Sequence, residues 1–408
     1  MISKYDVFYV IAIKGEIKII DIVRALHKPK SEYDSIFKRV QQLEKEGYVK
    51  KDNLVKIVHN ERTKDLFKLI SFCISNSINY NLIFKKSMLN FIQKAARKEF
   101  FTIKDIKIHP QTFKFYVDTL LKYGLLRILS RKPLKCRILE HHFLINLLKF
   151  FKIKAKFHKH KHHSLIKEIK KELRKYKKNL EINRTVEEDL EKKKEVDFIY
   201  TSLHLEGNPL TLSETQKLIF DEVLPEKHKL SHVEEVTNYK KAVDLMIENA
   251  KNKVKLTLPL ILEYHKIGMA HIHGAGEIRK QNVRIKFNPH FKTSDWNLIG
   301  IKLDLLLKEY EKFSSNKNEI DDVIEFASFF HNEFQRIHPF IDGNSRTSRL
   351  LMLHILRFYE LPVLDLPLGF LDYYMDLTKR SKKRDDKAFR NLIEEVVLVN
   401  FKSINFKF

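Results

Sequence analysis

Cysteine is almost absent from this sequence, which has two in 408 residues, Cys73 and Cys136. They lie far apart and form no CxxC pair, so we expect neither a disulfide framework nor a zinc–thiolate site, and a reducing cytoplasm is the expected location. No run of 18 or more apolar residues occurs, so no membrane span is predicted. The short apolar run 7–13 follows Asp6 and lacks a cleavage signal, which predicts a first core helix rather than a signal peptide.

Acidic residues are scarce in the first half of the chain only. Residues 1–190 contain 43 Lys and Arg against 20 Asp and Glu, a net charge of +23, whereas residues 191–408 contain 34 against 32. A lysine-rich genome would raise lysine in both halves, yet acids balance it in the second. A chain that is basic in one half predicts a polyanionic partner there, and nucleic acid is the expected one.

Residues 1–60 have the pattern of three short helices and a hairpin. Ser31 is a candidate cap for a helix that runs to about Glu46, which Gly47 ends before a short strand. This order resembles a winged helix-turn-helix domain, and 84–150 repeats it. The cations predicted to contact DNA from these two domains are Lys38, Arg39, Lys45, Arg127, Arg131, Lys132 and Arg137. DNA is therefore the expected partner of residues 1–150; the alternative is that tandem winged helices bind only proteins.

Residues 152–195 have the composition of a basic helical linker. Clustered histidines at 157–164 could bind a metal. Lysines flank this tract, and no acidic or cysteine partner stands at ligand spacing. A solvated basic linker is therefore the favoured interpretation.

The stretch HPFIDGNSRTSR, from His338 to Arg349, joins two helices with an apolar period. A turn that enters a helix N-terminus presents unpaired N–H groups and the positive end of the dipole, which favours phosphate. Arg346 and Arg349 share one face in the first turn, where an anion would explain them. Asp342 suits Mg²⁺, and His338 is placed to take a proton from a hydroxyl. The pattern predicts a phosphoryl- or nucleotidyl-transfer site; a surface loop is the alternative.

The same stretch resembles the signature of Fic-domain proteins, HPFx(D/E)GN(G/K)RxxR, at every position except Ser345. Upstream, SLHLEGN at 202–208 resembles the inhibitory-helix motif of that family. EVTNY at 235–239 resembles another recurrent stretch, and VRIKF at 283–287 stands where the family has its flap. The expected fold class is therefore mainly α. It comprises an α-helical Fic core at 197–400, with an inhibitory helix at 198–207 and a small β-hairpin flap, preceded by tandem winged-helix domains.

The resemblance implies a protein adenylyltransferase that moves AMP from ATP to a Ser, Thr or Tyr hydroxyl of a protein, with the chain itself as one candidate target. It implies ATP and Mg²⁺ as cofactors, His338 as general base and Asp342 as metal ligand. Gly343, Asn344, Ser345, Arg346 and Arg349 would bind the phosphates. Glu206 would inhibit the enzyme by pairing with Arg349. The flap residues Val283, Arg284, Ile285, Lys286 and Phe287 would pair with an extended segment of the target.

Ser345 departs from the signature, in which Gly or Lys is usual. A serine keeps the backbone N–H, but it would be strained if this position required a positive φ. The alternatives are a winged-helix regulator whose Fic core only senses nucleotide, and a core that removes AMP or transfers a phosphate group. The target, the DNA site and the oligomeric state do not follow from the sequence, although a dimer is consistent with it.

Overall fold

The structure is a computed structural model that describes residues 2–154, 156–157, 164–182, 184–225, 228–285 and 288–405, without the side chains of Arg131 and 184–188. The histidine tract at 158–163 lies outside the described residues. The chain divides into two compact units, Met1–Lys159 and His160–Phe408.

The first unit opens with three helices and a three-stranded antiparallel sheet in the order β1-β3-β2. Its elements are α1 (Lys4–Lys14), β1 (Glu16–Ile17), α2 (Ile19–Ala25), α3 (Tyr33–Lys45), β2 (Val49–Lys51) and β3 (Val55–Ile57). The helix predicted to end near Glu46 is α3, and Ile36, Val40 and Leu43 are buried on its inner face. Gly47, at φ +79°, then allows the turn into the sheet.

A second helix–helix–hairpin arrangement follows in the same unit. Its elements are α4 (Glu61–Ser75), α5 (Tyr80–Ile83), α6 (Lys86–Ala96), α7 (Ile103–Ile106), α8 (Pro110–Lys122), β4 (Leu126–Arg131), β5 (Leu134–Ile138) and α9 (His142–Phe150). Strands β4 and β5 form an antiparallel hairpin, and α8 packs against β4.

Three of the cations predicted to contact DNA are exposed, namely Lys38, Lys45 and Lys132, while Arg39 and Arg137 are half-buried. Arg127 is only 3% exposed. It therefore does not present its guanidinium on the surface as predicted, because strand β4 turns this side chain into the interior. The composition of a hairpin does not reveal which of its side chains face inward.

The described residues of the second unit form helices joined by loops, with no strand among them. Its helices are α10 (Ile166–Ile182), α11 (Arg184–His204), α12 (Leu212–Phe220), α13 (Leu230–Lys251), α14 (Leu258–Gly268), α15 (Ile299–Ser314), α16 (Ile320–Ile337), α17 (Asn344–Phe358), α18 (Leu368–Leu377) and α19 (Asp386–Asn405). The mainly α-helical class predicted from the sequence is confirmed. Helix α10, expected within a linker, packs on α19 and buries Ile169 and Tyr176.

Helices α16 and α17 lie at the centre of this unit, with α13 and α14 against α17 and α19 against α16. Both central helices bury most of their length, including Phe330, Phe334 and Leu351. The loop between the two central helices is therefore held between elements that are fixed by the core.

The segment predicted as an exposed strand at 283–287 has no strand in its described part, Val283, Arg284 and Ile285, and Lys286 and Phe287 lie outside the described residues. A strand needs a neighbour for its backbone N–H and C=O groups. Here a hydrogen bond from the Thr293 side chain, Oγ1 to the Val283 carbonyl at 3.0 Å, connects the segment to the chain that follows it.

Across the described residues, no helix has the length and apolar character needed to cross a membrane.

Candidate active site

The loop from His338 to Gly343 is bounded by two residues in the left-handed conformation. His338 ends α16 at φ 53°, and Gly343 precedes α17 at φ 79°. The Asn344 side chain closes the loop, since its Oδ1 accepts from Phe340 N at 2.9 Å and its Nδ2 donates to Phe340 O at 2.8 Å. Helix α17 thus begins at Asn344.

Glycine is required at position 343 for two reasons. Its positive φ is rarely adopted by residues that carry a Cβ. A Cβ there would also lie 2.7 Å from Met269 Cγ and 2.9 Å from His265 Nε2, closer than real Cβ contacts come. The tight contact with α14 therefore fixes where the first N–H groups of α17 point.

His265 supports this loop from α14. Its Nδ1 accepts from Gly276 N at 2.8 Å, so the proton is on Nε2, which donates to the Asp342 carbonyl at 2.9 Å. Burial lowers the pKa of His265 to about 4, which keeps the ring neutral. The ring also stacks on Phe340, with centroids 3.5 Å apart. Phe340 is 1% exposed, so its ring packs beneath the loop.

Arg279 holds the other end of the loop with all of its guanidinium nitrogens. Nε donates to His338 O at 2.7 Å, Nη1 to Gln281 O at 2.6 Å and Nη2 to Ser294 O at 2.5 Å. The backbone N–H of Arg279 also donates to Pro339 O at 2.9 Å. A buried guanidinium whose donors all meet carbonyls makes a rigid support for the strained residue His338.

His338 is positioned as a neutral base. Burial, with a smaller effect of the Arg279 charge, lowers its pKa to about 4. Its Nδ1 lies 3.2 Å from Gln335 O, a contact in which Nδ1–H donates. The lone pair is then on Nε2, and that nitrogen can accept a proton.

Arg346 is held between two acids. Its Nη1 pairs with Glu235, and its Nη2 lies 3.2 Å from Asp342 Oδ1. Asp342 is the open member of this group, with 64% of its side chain exposed, whereas Arg346 is buried. The arginine is therefore fixed and the carboxylate faces solvent, as a ligand for a phosphate-bound cation would.

Arg349 is 3% exposed and makes contacts with three elements. Nε donates to Ser202 Oγ at 2.8 Å, Nη2 donates to Ser202 O at 2.7 Å and to Glu206 Oε1 at 2.9 Å, and Nη1 lies 3.4 Å from Tyr374 Oη. Tyr239 connects the same group to the motif helix, because its hydroxyl lies 2.9 Å from Ser202 Oγ and donates to Arg346 O at 3.1 Å.

Glu206 bridges two cations. Its Oε1 pairs with Arg349 and its Oε2 pairs with Lys379. Burial opposes ionisation of this carboxyl, but the charges of Arg349 and Lys379 outweigh burial and lower its pKa. Glu206 was predicted on a helix at 198–207; α11 ends at His204, so the carboxylate stands in the turn that follows.

Ser345 lies in the first turn of α17 with a helical backbone and is absent from the positive-φ positions of the described chain. The strain that a serine would suffer at a positive φ therefore does not arise. Gly343 takes the left-handed conformation instead, two residues earlier.

Comparison with known proteins agrees with this geometry. Residues 255–356 match the sequence profile of the Fic/DOC family. This stretch is therefore similar to a Fic domain. The resemblance drawn from the motif is thus confirmed, and the matched residues extend from the start of α14 almost to the end of α17, which includes the whole Fic loop His338–Gly343.

Two curated relatives are both called protein adenylyltransferase Fic. The one from Drosophila erecta is 28% identical over 209 residues, which are 50% of this chain and 41% of that protein. The one from Drosophila grimshawi is 29% identical over 209 residues, or 50% and 42% of the two chains. The chain thus spans about two fifths of the length of these relatives.

A crystal structure of a Fic domain containing signaling protein from Bacteroides thetaiotaomicron VPI-5482 has the same fold. It superposes with a TM-score of 0.52 at 21% identity, covering 58% of this chain and 95% of that chain.

The motif residues meet at one place, but their supports were not predicted. Glu235 and Tyr239 belong to the recurrent stretch noted in the sequence, with no role assigned there. His265, Arg279 and Lys379 carry no motif at all. The one sequence signal was the unusual density of histidine and glycine at 265–276, which is a pattern too general to assign.

Proposed function

We propose that this chain is a protein adenylyltransferase that its own Glu206 keeps inactive. One observation carries the proposal: Arg349, the motif residue suited to bind the terminal phosphate of ATP, is already paired with Glu206 at 2.9 Å. A carboxylate and a phosphate compete for the same guanidinium donors. ATP would therefore reach this loop in a productive pose only when Glu206 withdraws.

The reaction follows from the loop once the nucleotide is in place. N–H groups at the start of α17 and Arg346 hold the phosphates, and His338 Nε2 takes the proton of a Ser, Thr or Tyr hydroxyl. The hydroxyl oxygen attacks the α-phosphorus, a new P–O bond to the protein forms, and the bond to the β-phosphate breaks, releasing pyrophosphate. Positioning and charge stabilisation supply most of the rate.

Mg²⁺ fits this site through Asp342. Its carboxylate is the exposed acid of the loop, and Mg²⁺ bound to a nucleotide takes one or two carboxylates with phosphate oxygens. Among the described residues no group of three or more His, Cys, Asp and Glu side chains could hold a metal alone. The cation would therefore enter with ATP, where it offsets phosphate charge.

The segment at 283–287 is proposed to bind the target. Asn288 anchors its end, with Nδ2 donating to Lys379 O at 2.7 Å and Ser381 O at 2.8 Å. An extended target segment could supply the backbone neighbour that Val283–Ile285 lacks in its described part. Arg279 links His338 to the start of this region, because it donates to the carbonyl of His338 and to that of Gln281, two residues before Val283.

The test uses ATP labelled at the α-phosphate, with Mg²⁺ and the full chain. We expect little label on the wild type, strong label on the chain or on lysate proteins with Glu206→Gly, and none with Glu206→Gly/His338→Ala. If Glu206→Gly binds ATP yet labels nothing, the transferase proposal fails and nucleotide sensing replaces it. A target that already carries labelled AMP tests the reverse reaction. If it loses the label only when Glu206 is present, removal of AMP is supported. Transfer from γ-labelled ATP would indicate phosphate transfer.

DNA association through the first unit is a second proposal. It is supported by the charge of residues 1–159, which contain 34 Lys and Arg against 14 Asp and Glu, a net of +20. It is also supported by two helix–helix–hairpin arrangements, each of which has at least one exposed cation. Binding of the full chain to duplex DNA should weaken steeply as salt rises, because phosphate contacts release counterions. DNA binding that salt does not affect would contradict the electrostatic argument.

The buried thiols Cys73 and Cys136 are consistent with the proposed reducing, cytoplasmic setting.

A further inference from the structure

Lys379 lies outside the sequence motif but inside the site. It stands in the turn after α18, and its ammonium pairs with Glu206 Oε2 while Arg349 pairs with Oε1. One third of the lysine side chain is exposed, against 14% of that of Glu206. The lysine is therefore the solvent-side cation of a pair that shares one carboxylate.

The backbone of Lys379 is fixed independently of its side chain. The buried side chain of Asn288 donates from Nδ2 to the carbonyls of Lys379 and Ser381, at 2.7 and 2.8 Å. Lys379 also affects His338, the proposed general base, since the lysine charge is one of those that lower the pKa of His338. The ammonium is thus held close to the place where phosphate would react.

Withdrawal of Glu206 would leave two cations without their shared anion. Arg349 is buried, and an unpaired buried charge is strongly unfavourable. A phosphate group has several oxygens and more charge than a carboxylate, so it can replace both contacts of Glu206 at once. Both cations already contact the carboxylate whose place the phosphate would take.

We propose that Lys379 is a second phosphate-binding cation of this site, paired with Glu206 in the closed form and with the terminal phosphate of ATP once Glu206 leaves. The inference rests on the proposed nucleotide site and adds a residue that the motif lacks. It assigns Lys379 opposite effects in two backgrounds: removal weakens the closed form when Glu206 is present and weakens ATP binding when Glu206 is absent.

The test is calorimetric titration of the full chain with Mg-ATP and, separately, AMP, which lacks the two outer phosphates. In the Glu206→Gly background, Lys379→Met should weaken ATP binding roughly tenfold, the loss of one charge-assisted hydrogen bond at a partly exposed site. AMP binding should be unchanged, and Lys379→Arg should restore ATP binding. Lys382→Met, an exposed lysine of the same loop, is the matched control. In the otherwise wild-type chain, Lys379→Met should increase labelling from ATP.

Unchanged ATP affinity, or an equal loss for ATP and AMP, would overturn the inference. Thermal unfolding identifies a variant that fails to fold, in which case Lys379→Gln takes its place. If Glu206→Gly binds ATP without transferring AMP, the proposed function fails while the titrations still decide the role of Lys379. If Glu206→Gly binds no ATP, both are wrong.

Discussion

Glu206 and Arg349 are 143 residues apart in the chain, yet Arg349 Nη2 donates to Glu206 Oε1 across 2.9 Å. Ser202 holds the same guanidinium through Oγ and its carbonyl, so Arg349 has contacts that orient it besides the carboxylate. The pair therefore joins the turn after α11 to the second turn of α17. It occupies the arginine best suited to a nucleotide phosphate.

Replacing Glu206 with Gln separates charge from shape. Glu206→Gln keeps the size of the side chain but leaves Arg349 without its counter-charge, which lowers the free energy of unfolding by about 3–5 kcal/mol. The same loss should raise labelling from α-labelled ATP roughly tenfold or more, since a neutral acceptor is weaker. Differential scanning fluorimetry should show a lower Tm that Mg-ATP largely restores. Glu181→Gln, an exposed acid on α10, is the control. A fall in Tm without added labelling would contradict the competition between Glu206 and phosphate.

Substituting Gly343 should damage the loop out of proportion to the size of a methyl group. Gly343→Ala combines a positive φ with a Cβ 2.7 Å from Met269, which predicts a loss of roughly 2–4 kcal/mol in unfolding free energy and of ATP binding. Gly300→Ala on α15 is matched, because nothing lies within 4 Å of its added Cβ. That variant should gain about 0.5–1 kcal/mol from helix propensity. Urea unfolding measures the free energy of unfolding of both variants. Equal changes for Gly343→Ala and Gly300→Ala would show that the close contact with α14 is unimportant.

Restoring the usual glycine of the signature at position 345 should not make a more active enzyme. Ser345 already has a helical backbone, so Ser345→Gly relieves no strain and lowers helix stability by up to about 1 kcal/mol. In the Glu206→Gly background, we expect a labelling rate within about threefold of the parent, which is about 0.7 kcal/mol. A larger increase would mean that the serine side chain obstructs the nucleotide.

Acid should destabilise the second unit through its buried neutral histidines. Burial lowers the pKa of His331 to about 3 from an ordinary 6.5. Between those values the unfolded chain binds a proton that the folded chain does not, so stability is complete above pH 6.5 and is lost as pH falls. From pH 6.5 to 5 this one group accounts for up to about 2 kcal/mol. Urea unfolding at both pH values should show a smaller difference for His331→Phe than for wild type; an equal difference would refute the assignment.

The exposed tip of the β4–β5 hairpin provides a test of DNA binding. Lys132→Glu should weaken binding of the full chain to duplex DNA and reduce the slope of log affinity against log salt by about 1 or more. Arg127 is buried, so it is not a suitable probe of surface charge. Fluorescence anisotropy across salt concentrations measures the slope. An unchanged slope would exclude this hairpin from the interface.

The sequence alone determined the mainly helical class, the position of the Fic loop, and the identity of His338, Asp342, Arg346 and Arg349 as polar groups of that loop and of the helix that follows it. These follow from local signals, since apolar period, turn residues and a dense motif lie within a few residues of each other. Glu206, the residue proposed to inhibit the enzyme, was also visible in the sequence, because the motif that contains it is local.

Only the tertiary structure showed which groups hold that loop in place. His265 and Arg279 reach it from separate elements, Lys379 reaches Glu206 beside it, and no local pattern records contacts between residues so far apart in the chain. Burial, too, is a property of packing: it placed Arg127 inside a hairpin and made His338 a neutral base. The backbone likewise assigned the left-handed position to Gly343 and left Ser345 in a helix, which decided that the departure from the signature carries no strain.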